Sequence, residues 1–533
     1  MPLNNKIIIT IVISIILSVS FSGCLLENIL GAASFSLDSY SVVDDEGFPA
    51  IALSFTCAGR VNLKTYSSNS QMIDYDFFYR DSETTLNLGE YRETVKPGEY
   101  IFKVSDRNDK SLFEKTLSFS GSDLSISSCE QYWWKDGDSY VFIGLKLKVE
   151  NTGDLPAYPY YFDMIVGSQT YSGKILPTVI LSGSSEFVYF TLIHEGEFDE
   201  SSFQIVLKNS NNDVIATSSF NFDVKSTVST WTYRKGLDNT LKIPYAEYLH
   251  DYYLGLERIV VEDYSVFVLD CYDDSYLDFV KDKIIDSCDF GEYRFNLKSD
   301  VEKINYVTSF VQESLEYLSD SEGNSSFEYP RYPVETLFNG VGGGDCEDLS
   351  ILAASLIEKL GYQVALLRLP EHMAVGVKLD KDEISKSFYT QDYYYLETTK
   401  DIDCGTVPPD FSNPSELYVY PILKTSFVTH NWKDDVITVF SKTEQGDFVK
   451  AIALIDNLGN ETAENVEFKG VFYTDAELLL TSESTNISQI EPYDRKKAIL
   501  SVELPSEADS WFETRIIIDG VTVDTQKSKN TFG

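Results

Sequence analysis

Three residues far apart in the chain could act as one chemical unit. Cys346 follows a glycine run and opens an apolar stretch in GVGGGDCEDLS (340–350). His372 stands at the head of HMAVGVKL, and Glu397 near the end of YYYLETT. A cysteine nucleophile needs a base to take its proton, and the base needs an acceptor to orient its ring. Four histidines exist, His194, His250, His372 and His430, and His372 is the one set at the start of a strand pattern just downstream of the cysteine. If the next strand is a neighbour, Glu397 can accept from the His372 ring.

These residues need elements to position them. CEDLSILAASLIEKLG (346–361) carries Leu349, Leu352, Ala353, Leu356, Ile357 and Leu360 at helical spacing and stops at Gly361. A thiol at the N-terminus of that helix meets the positive end of the dipole and free N–H groups, which favour thiolate and can cradle an oxyanion. Gly342, Gly343 and Gly344 leave room for a peptide-like substrate. Asp345, Glu347 and Asp348 flank the cysteine and argue against a buried, purely structural thiol. A second helix is predicted at 299–320, with Ile304, Val307, Val311 and Leu315 on one face after a Ser-Asp start. YQVALLRL, MAVGVKL and YYYLETT read as strands, so 228–425 is expected to be an α+β domain.

YPVETLFNGVGGGDCEDLSILAASLIEKLGYQVALLRLPEHMAVGVKL, with YYYLETT further on, resembles the transglutaminase-like superfamily of papain-like thiol enzymes. The family's mark is G-D-C-x-D opening a helix, then a His on the following strands, then an acid. The resemblance implies Cys346 as nucleophile, His372 as base and Glu397 as orienter, where many members carry Asp. It implies a structural role for Asp348, and an oxyanion hole made by the Cys346 backbone with an upstream aromatic, for which Tyr332 is the candidate. It covers about 230–425 and is nearest to tethered surface lipoproteins of prokaryotes, archaea in particular. The implied chemistry is acyl transfer on a protein or peptide amide, cell-envelope material included, with no cofactor and no metal. Water as acceptor makes a peptidase or amidase; an amine makes a transamidase. The rival from another class is a non-catalytic surface binding or scaffold protein that retains the fold, and thiol reactivity separates the two. Within the triad, Glu397→Gln is expected to cost less than loss of Cys346 or His372.

The rest of the chain is β-rich. At 533 residues it exceeds one core, and 14% of its residues are aromatic. Short strand patterns with turn signals predict β-sandwiches at 35–122, 127–225 and 433–533, resembling immunoglobulin-like surface modules. LKVENTGDLPA (147–157) and ALIDNLGNETA (453–463) echo each other, either as related modules or as one turn solution in which Asn and Gly tolerate left-handed backbone.

The formal charge of −41, with no basic patch, makes nucleic acid a poor partner. The N-terminus has one Lys, an apolar run at 7–21 and then FSGC, a signal-peptide pattern resembling a lipoprotein signal: 1–23 removed, Cys24 lipidated and 24–34 a tether. An uncleaved anchor is the alternative, and both place the chain outside the cytoplasm, held to a membrane at one end. Seven cysteines show no metal-binding spacing; Cys271 with Cys288 and Cys57 with Cys129 are the pairs considered. Asn324, Asn460 and Asn486 are glycosylation candidates. The acid run at 270–278 lacks the glycine and spacing of a calcium loop and reads as a solvated face.

Overall fold

The computed structural model describes residues 33–532, apart from 236–238, 259–260, 288–298, 320–328, 340–341, 381–383, 385–386, 388, 434–437, 444–445, 478 and 506–508. Cys24, Cys288 and Asn324 lie outside the described residues, as do the apolar run at 7–21 and the FSGC site. Among the described residues, strand makes up 51% and helix 15%. Among the described residues, no helix is long and apolar enough to cross a membrane.

The first module is one five-stranded antiparallel sheet rather than two separate ones. Its strand Phe48–Tyr66 pairs with Ser34–Asp45 along one half and with Gly98–Asp106 along the other. Register irregularities around Ala58 bend it. The halves then share a core, with Phe35 beside both Phe55 (5.3 Å) and Phe113 (5.4 Å). The second module has a three-stranded and a four-stranded sheet around Trp133, Phe142, Leu147, Phe162, Phe190 and Ile205. The last module likewise has two four-stranded sheets around one core.

The echoed turns share a mechanism, and it is not left-handed backbone. Asn151 is buried; its amide donates to Leu155 O (2.8 Å) and Ile180 O (3.0 Å) and accepts from Gly153 N (3.0 Å). Asn457 is buried as well and makes the same set, to Glu461 O (2.8 Å), Ile490 O (3.0 Å) and Gly459 N (3.1 Å). One side chain satisfies backbone groups that the turn would otherwise bury unpaired.

The central region has an antiparallel four-stranded sheet in the order Tyr394–Leu396, His372–Val377, Val364–Leu369, Tyr418–Ile422. The predicted second helix runs Asp300–Ser314, started by a Ser299–Glu302 capping box. The Cys346–Lys359 helix is buried nearly all round, against the sheet and four other helices. Helices Glu247–Gly255, Ser265–Leu269, Asp274–Asp286 and Pro333–Phe338, and strand Tyr418–Ile422, escape the sequence reading. Their Tyr-rich, charged stretches show little helical pattern, yet Tyr248, Tyr253 and Tyr276 are core residues. The acid run is not a solvated face: Asp273 is buried, Asp270 accepts from Tyr272 N (3.0 Å), and Asp274 pairs with Lys359 (2.6 Å).

The two ends of the described chain meet. Asp45, Glu46, Asp74, Asp76 and Glu90 of the first module face Lys433, Arg495, Lys497, Lys450 and Lys496 of the last. The Lys450–Asp76 pair (2.5 Å) is almost fully buried, at 5% and 1% side-chain exposure.

Candidate active site

The Leu369–His372 pair closes a tight hairpin over Pro370 and Glu371, with Glu371 in the left-handed region (φ 56°). His372 is therefore the first residue of its strand. The neighbouring strand pairs Val375 with Leu396 and Val377 with Tyr394, so Glu397 falls diagonal to His372 on the same face. His372 Nε2 meets Glu397 Oε2 at 3.3 Å. Tyr395 OH donates to that same oxygen at 2.8 Å. Glu397 Oε1 accepts from Thr398 N (3.1 Å), Thr399 N (3.0 Å) and Thr399 Oγ1 (2.8 Å). Glu397 is 1% exposed. Burial alone would raise its pKa, but the His372 and Thr399 hydrogen bonds outweigh it and hold the carboxyl at about 2.

Cys346 opens its helix as expected, after Asp345 as N-cap. One turn on, Ser350 Oγ bonds Met373 O (3.1 Å) and Thr398 Oγ1 (3.0 Å), pinning the helix across the two site strands. The thiol reaches the sheet at the Met373 backbone, next to His372. Its own donor bond goes to Glu347 Oε2 (3.3 Å), not to the imidazole. Burial first, and then the Glu347 carboxylate, push the thiol pKa up, opposite to the lowering expected from the helix N-terminus. Both oppose formation of the thiolate in the resting arrangement.

The three acids around Cys346 are buried, so their presence does not argue for exposure. Asp348 is 0% exposed, pairs with the Arg331 guanidinium and accepts from Arg331 N (2.7 Å). It also takes the Asp345 N–H (3.3 Å), so it anchors the helix start to the preceding segment. The glycines serve this packing rather than a substrate. A Cβ on Gly344 would overlap the Asp348 carboxylate, and one on Gly343 (φ 149°) would overlap Glu316 O.

That second approach exposes a residue the sequence reading missed. Strand Gly343–Gly344 pairs in parallel with Glu316–Tyr317, which sets Tyr317 opposite Gly344. Tyr317 is 58% exposed, and its strand partner Gly344 lies two residues before Cys346. Nothing local marks it, because a two-residue strand has no periodicity. Tyr332 is elsewhere: its ring packs on Tyr253 (4.6 Å) and Phe267 (4.9 Å), and its N–H donates to Glu335.

A second histidine–acid pair shows what geometry without access amounts to. His430 bonds Asp524 (2.7 Å) through Nδ1 and Thr514 Oγ1 (2.7 Å) through Nε2, but His430 and Thr514 sit inside the last module. His194 stacks on Phe198, and His250 lies beside Tyr245. Cys57, Cys129 and Cys271 are free thiols, so the Cys57–Cys129 pair does not form, and Cys271 meets Lys174 Nζ (3.2 Å). Asn486 is exposed on its strand, whereas Asn460 Oδ1 accepts from Thr425 N (2.9 Å) in a turn. Among the described residues, no group of three or more His, Cys, Asp or Glu is placed to hold a metal.

No protein-family model and no curated protein matches the chain. Among solved structures it is similar to a red sea bream transglutaminase, at 9% identity over 73% of this chain and 80% of that one, TM-score 0.18. It is also similar to the YadV chaperone, at 10% identity over 36% of this chain and 99% of that one, TM-score 0.13. A third is a glycosyl hydrolase family 2 member from Bacteroides cellulosilyticus, at 8% identity over 91% and 92%, TM-score 0.16. Scores this low leave the assignment to the site's own geometry.

Proposed function

We propose that the chain is a transglutaminase-like thiol enzyme performing acyl transfer on protein or peptide amides, flanked by immunoglobulin-like modules and held at the cell surface by its N-terminus. The observation that carries this reading is the buried Glu397 carboxylate on His372 Nε2, beside a helix-opening thiol. With Nε2 taken, Nδ1 is the ring nitrogen left for the thiol proton. The Cys346 sulfur attacks the carbonyl carbon as that proton passes to His372, giving a tetrahedral oxyanion. The Cys346 N–H, at the start of its helix, and the Tyr317 hydroxyl, from the strand paired with Gly343–Gly344, are the donors assigned to it. The C–N bond then breaks, His372 protonates the leaving amine, and water or a second amine resolves the acyl-enzyme.

The non-catalytic scaffold reading is favoured by one observation, a buried thiol bonded to Glu347, both of which oppose its ionisation. Site-resolved iodoacetamide labelling of the full chain at neutral pH decides between them. The enzyme reading expects His372→Ala to slow labelling of Cys346. Glu347→Gln should speed it, because removing the carboxylate lowers the thiol pKa and raises the thiolate fraction. If wild type and His372→Ala both label like an unfolded-peptide cysteine, the scaffold reading holds.

The tether rests on the sequence around Cys24. Cys24→Ala is expected to release the protein from the membrane fraction or block its processing. Mature protein that still begins at Met1 would favour an uncleaved anchor.

A further inference from the structure

The His372 ring is held at an edge by Glu397 and covered on a face by Phe411. The two rings lie 4.3 Å apart between centroids and within 7° of parallel. Phe411 ends the short turn Pro409–Phe411, between strands Tyr394–Leu396 and Tyr418–Ile422. The turn is fixed: Phe411 O accepts from Tyr389 OH at 2.7 Å, and Phe411 packs on the small cluster of Leu367, Leu369, Ala374 and Tyr395 behind the sheet. An aromatic face carries negative quadrupole density and attracts a cation above it. An imidazole stacked there is steadied in its plane, and the face attracts the ring when it carries the proton.

We propose that Phe411 is a positioning residue for His372, fixing the plane of the ring and stabilising its imidazolium form from the face while Glu397 does so from the edge. The inference rests on the reading of His372 as the base. The imidazolium is the form His372 takes once it has received the thiol proton, so an aromatic face that attracts the cation favours that state. The other charged or titratable groups here are Glu397 at Nε2, Tyr395 through Glu397, Tyr389 on Phe411 O, Glu371 and Asp410 next to the two rings in sequence, and Cys346 with Glu347 at the end of the helix. None of them covers the ring face that Phe411 occupies.

The test uses the full chain with 15N-labelled histidine, at one fixed pH near neutrality. Only four histidines give ring signals, and His372→Ala identifies the one at issue. Phe411→Leu keeps an apolar side chain but removes the π face; Phe411→Tyr keeps the face. The ratio of imidazolium to imidazole at His372 should fall roughly 2- to 30-fold in Phe411→Leu and recover in Phe411→Tyr. Loss of packing alone would not give recovery specific to an aromatic ring. An unchanged ratio in Phe411→Leu overturns the proposal, and so does a fall that Phe411→Tyr fails to restore. Labelling of Cys346 in the same samples separates the two levels. A shifted ratio with labelling indifferent to His372→Ala sinks the acyl-transfer reading and leaves the ring contact standing. Labelling that depends on His372 beside an unchanged ratio does the reverse.

Discussion

Replacing Cys346 or His372 by Ala is expected to lower amide turnover on the order of 10³-fold or more, and the double variant to lose little beyond either single one. The assay is turnover of a peptide or glutamine amide by the full chain, with and without a primary amine; product carrying the amine identifies a transamidase, free acid alone a hydrolase. The geometry revises the expectation for Glu397→Gln, which should cost about as much as losing His372. Both Glu397 oxygens face donors: Thr398 N, Thr399 N and Thr399 Oγ1 on one side, His372 and Tyr395 on the other. A Gln must turn its NH₂ toward one of these sets. Turned toward the threonines, it meets two fixed N–H groups. Turned toward His372, it makes Nε2 an acceptor and sends the ring proton to Nδ1, where it can no longer receive the proton of the thiol. The carboxyl pKa is held down, from 4.5 to about 2, so the stability it contributes is complete above pH 4.5, declines below it and is gone once the pH has fallen through about 2. An activity loss between pH 4.5 and 7 therefore belongs to another group. Wild-type turnover in Glu397→Ala would show that the orienting acid lies elsewhere; no turnover of any amide by the wild type would remove the enzyme reading.

The second large effect lies far from the thiol. Lys450→Met should loosen the docking of the first and last modules by about 3–5 kcal/mol, because it leaves Asp76 charged in a nearly dry interface. Lys450 Nζ bonds Asp76 and Phe77 O (3.2 Å) and lies over the Phe77 (5.1 Å) and Phe78 (4.2 Å) rings. Asp76 would retain only the Phe77 N–H (2.7 Å) and a long bond from Thr84 (3.4 Å). Replacing both partners, Lys450→Met with Asp76→Leu, should recover most of the loss, since desolvation of the charges offsets much of their attraction. Native-state amide exchange over Met72–Asn87 and Gly446–Asn457 reads this locally, without assuming that a four-part chain unfolds in one step. Wild-type exchange rates in the single variant would mean that the modules are held instead by their aromatic contacts, Phe448 with Phe77 (6.0 Å) and Tyr79 (5.7 Å). The partly exposed pairs around it, Lys496–Glu90 and Arg495–Glu46, should respond to salt far more than this one.

What the sequence determines by itself is what short-range chemistry controls. The helix that opens at Cys346 follows from an acid N-cap, an apolar stripe and a closing glycine, all within sixteen positions of one another. The strands that begin at His372 and end before Glu397 follow from runs of apolar and aromatic residues, and the three candidate residues could be named from those elements and the spacing between them. Tertiary structure alone decides which neighbours those residues meet. The flanking acids look solvent-loving in sequence, but Arg331 and the helix start make burial of Asp348 tolerable, and burial, with the Glu347 carboxylate added to it, then opposes ionisation of the thiol. The glycines look like space for a substrate, but that space is filled by Glu316 and by Asp348. Tyr317, Phe411 and the partners of Glu397 owe their positions to strand register and to a turn closed from the far side of the sheet. The facing charges of the first and last modules are separated by more than three hundred residues. No window of sequence contains both sides of such a contact, and the desolvation that makes it strong or costly exists only after the two surfaces have closed.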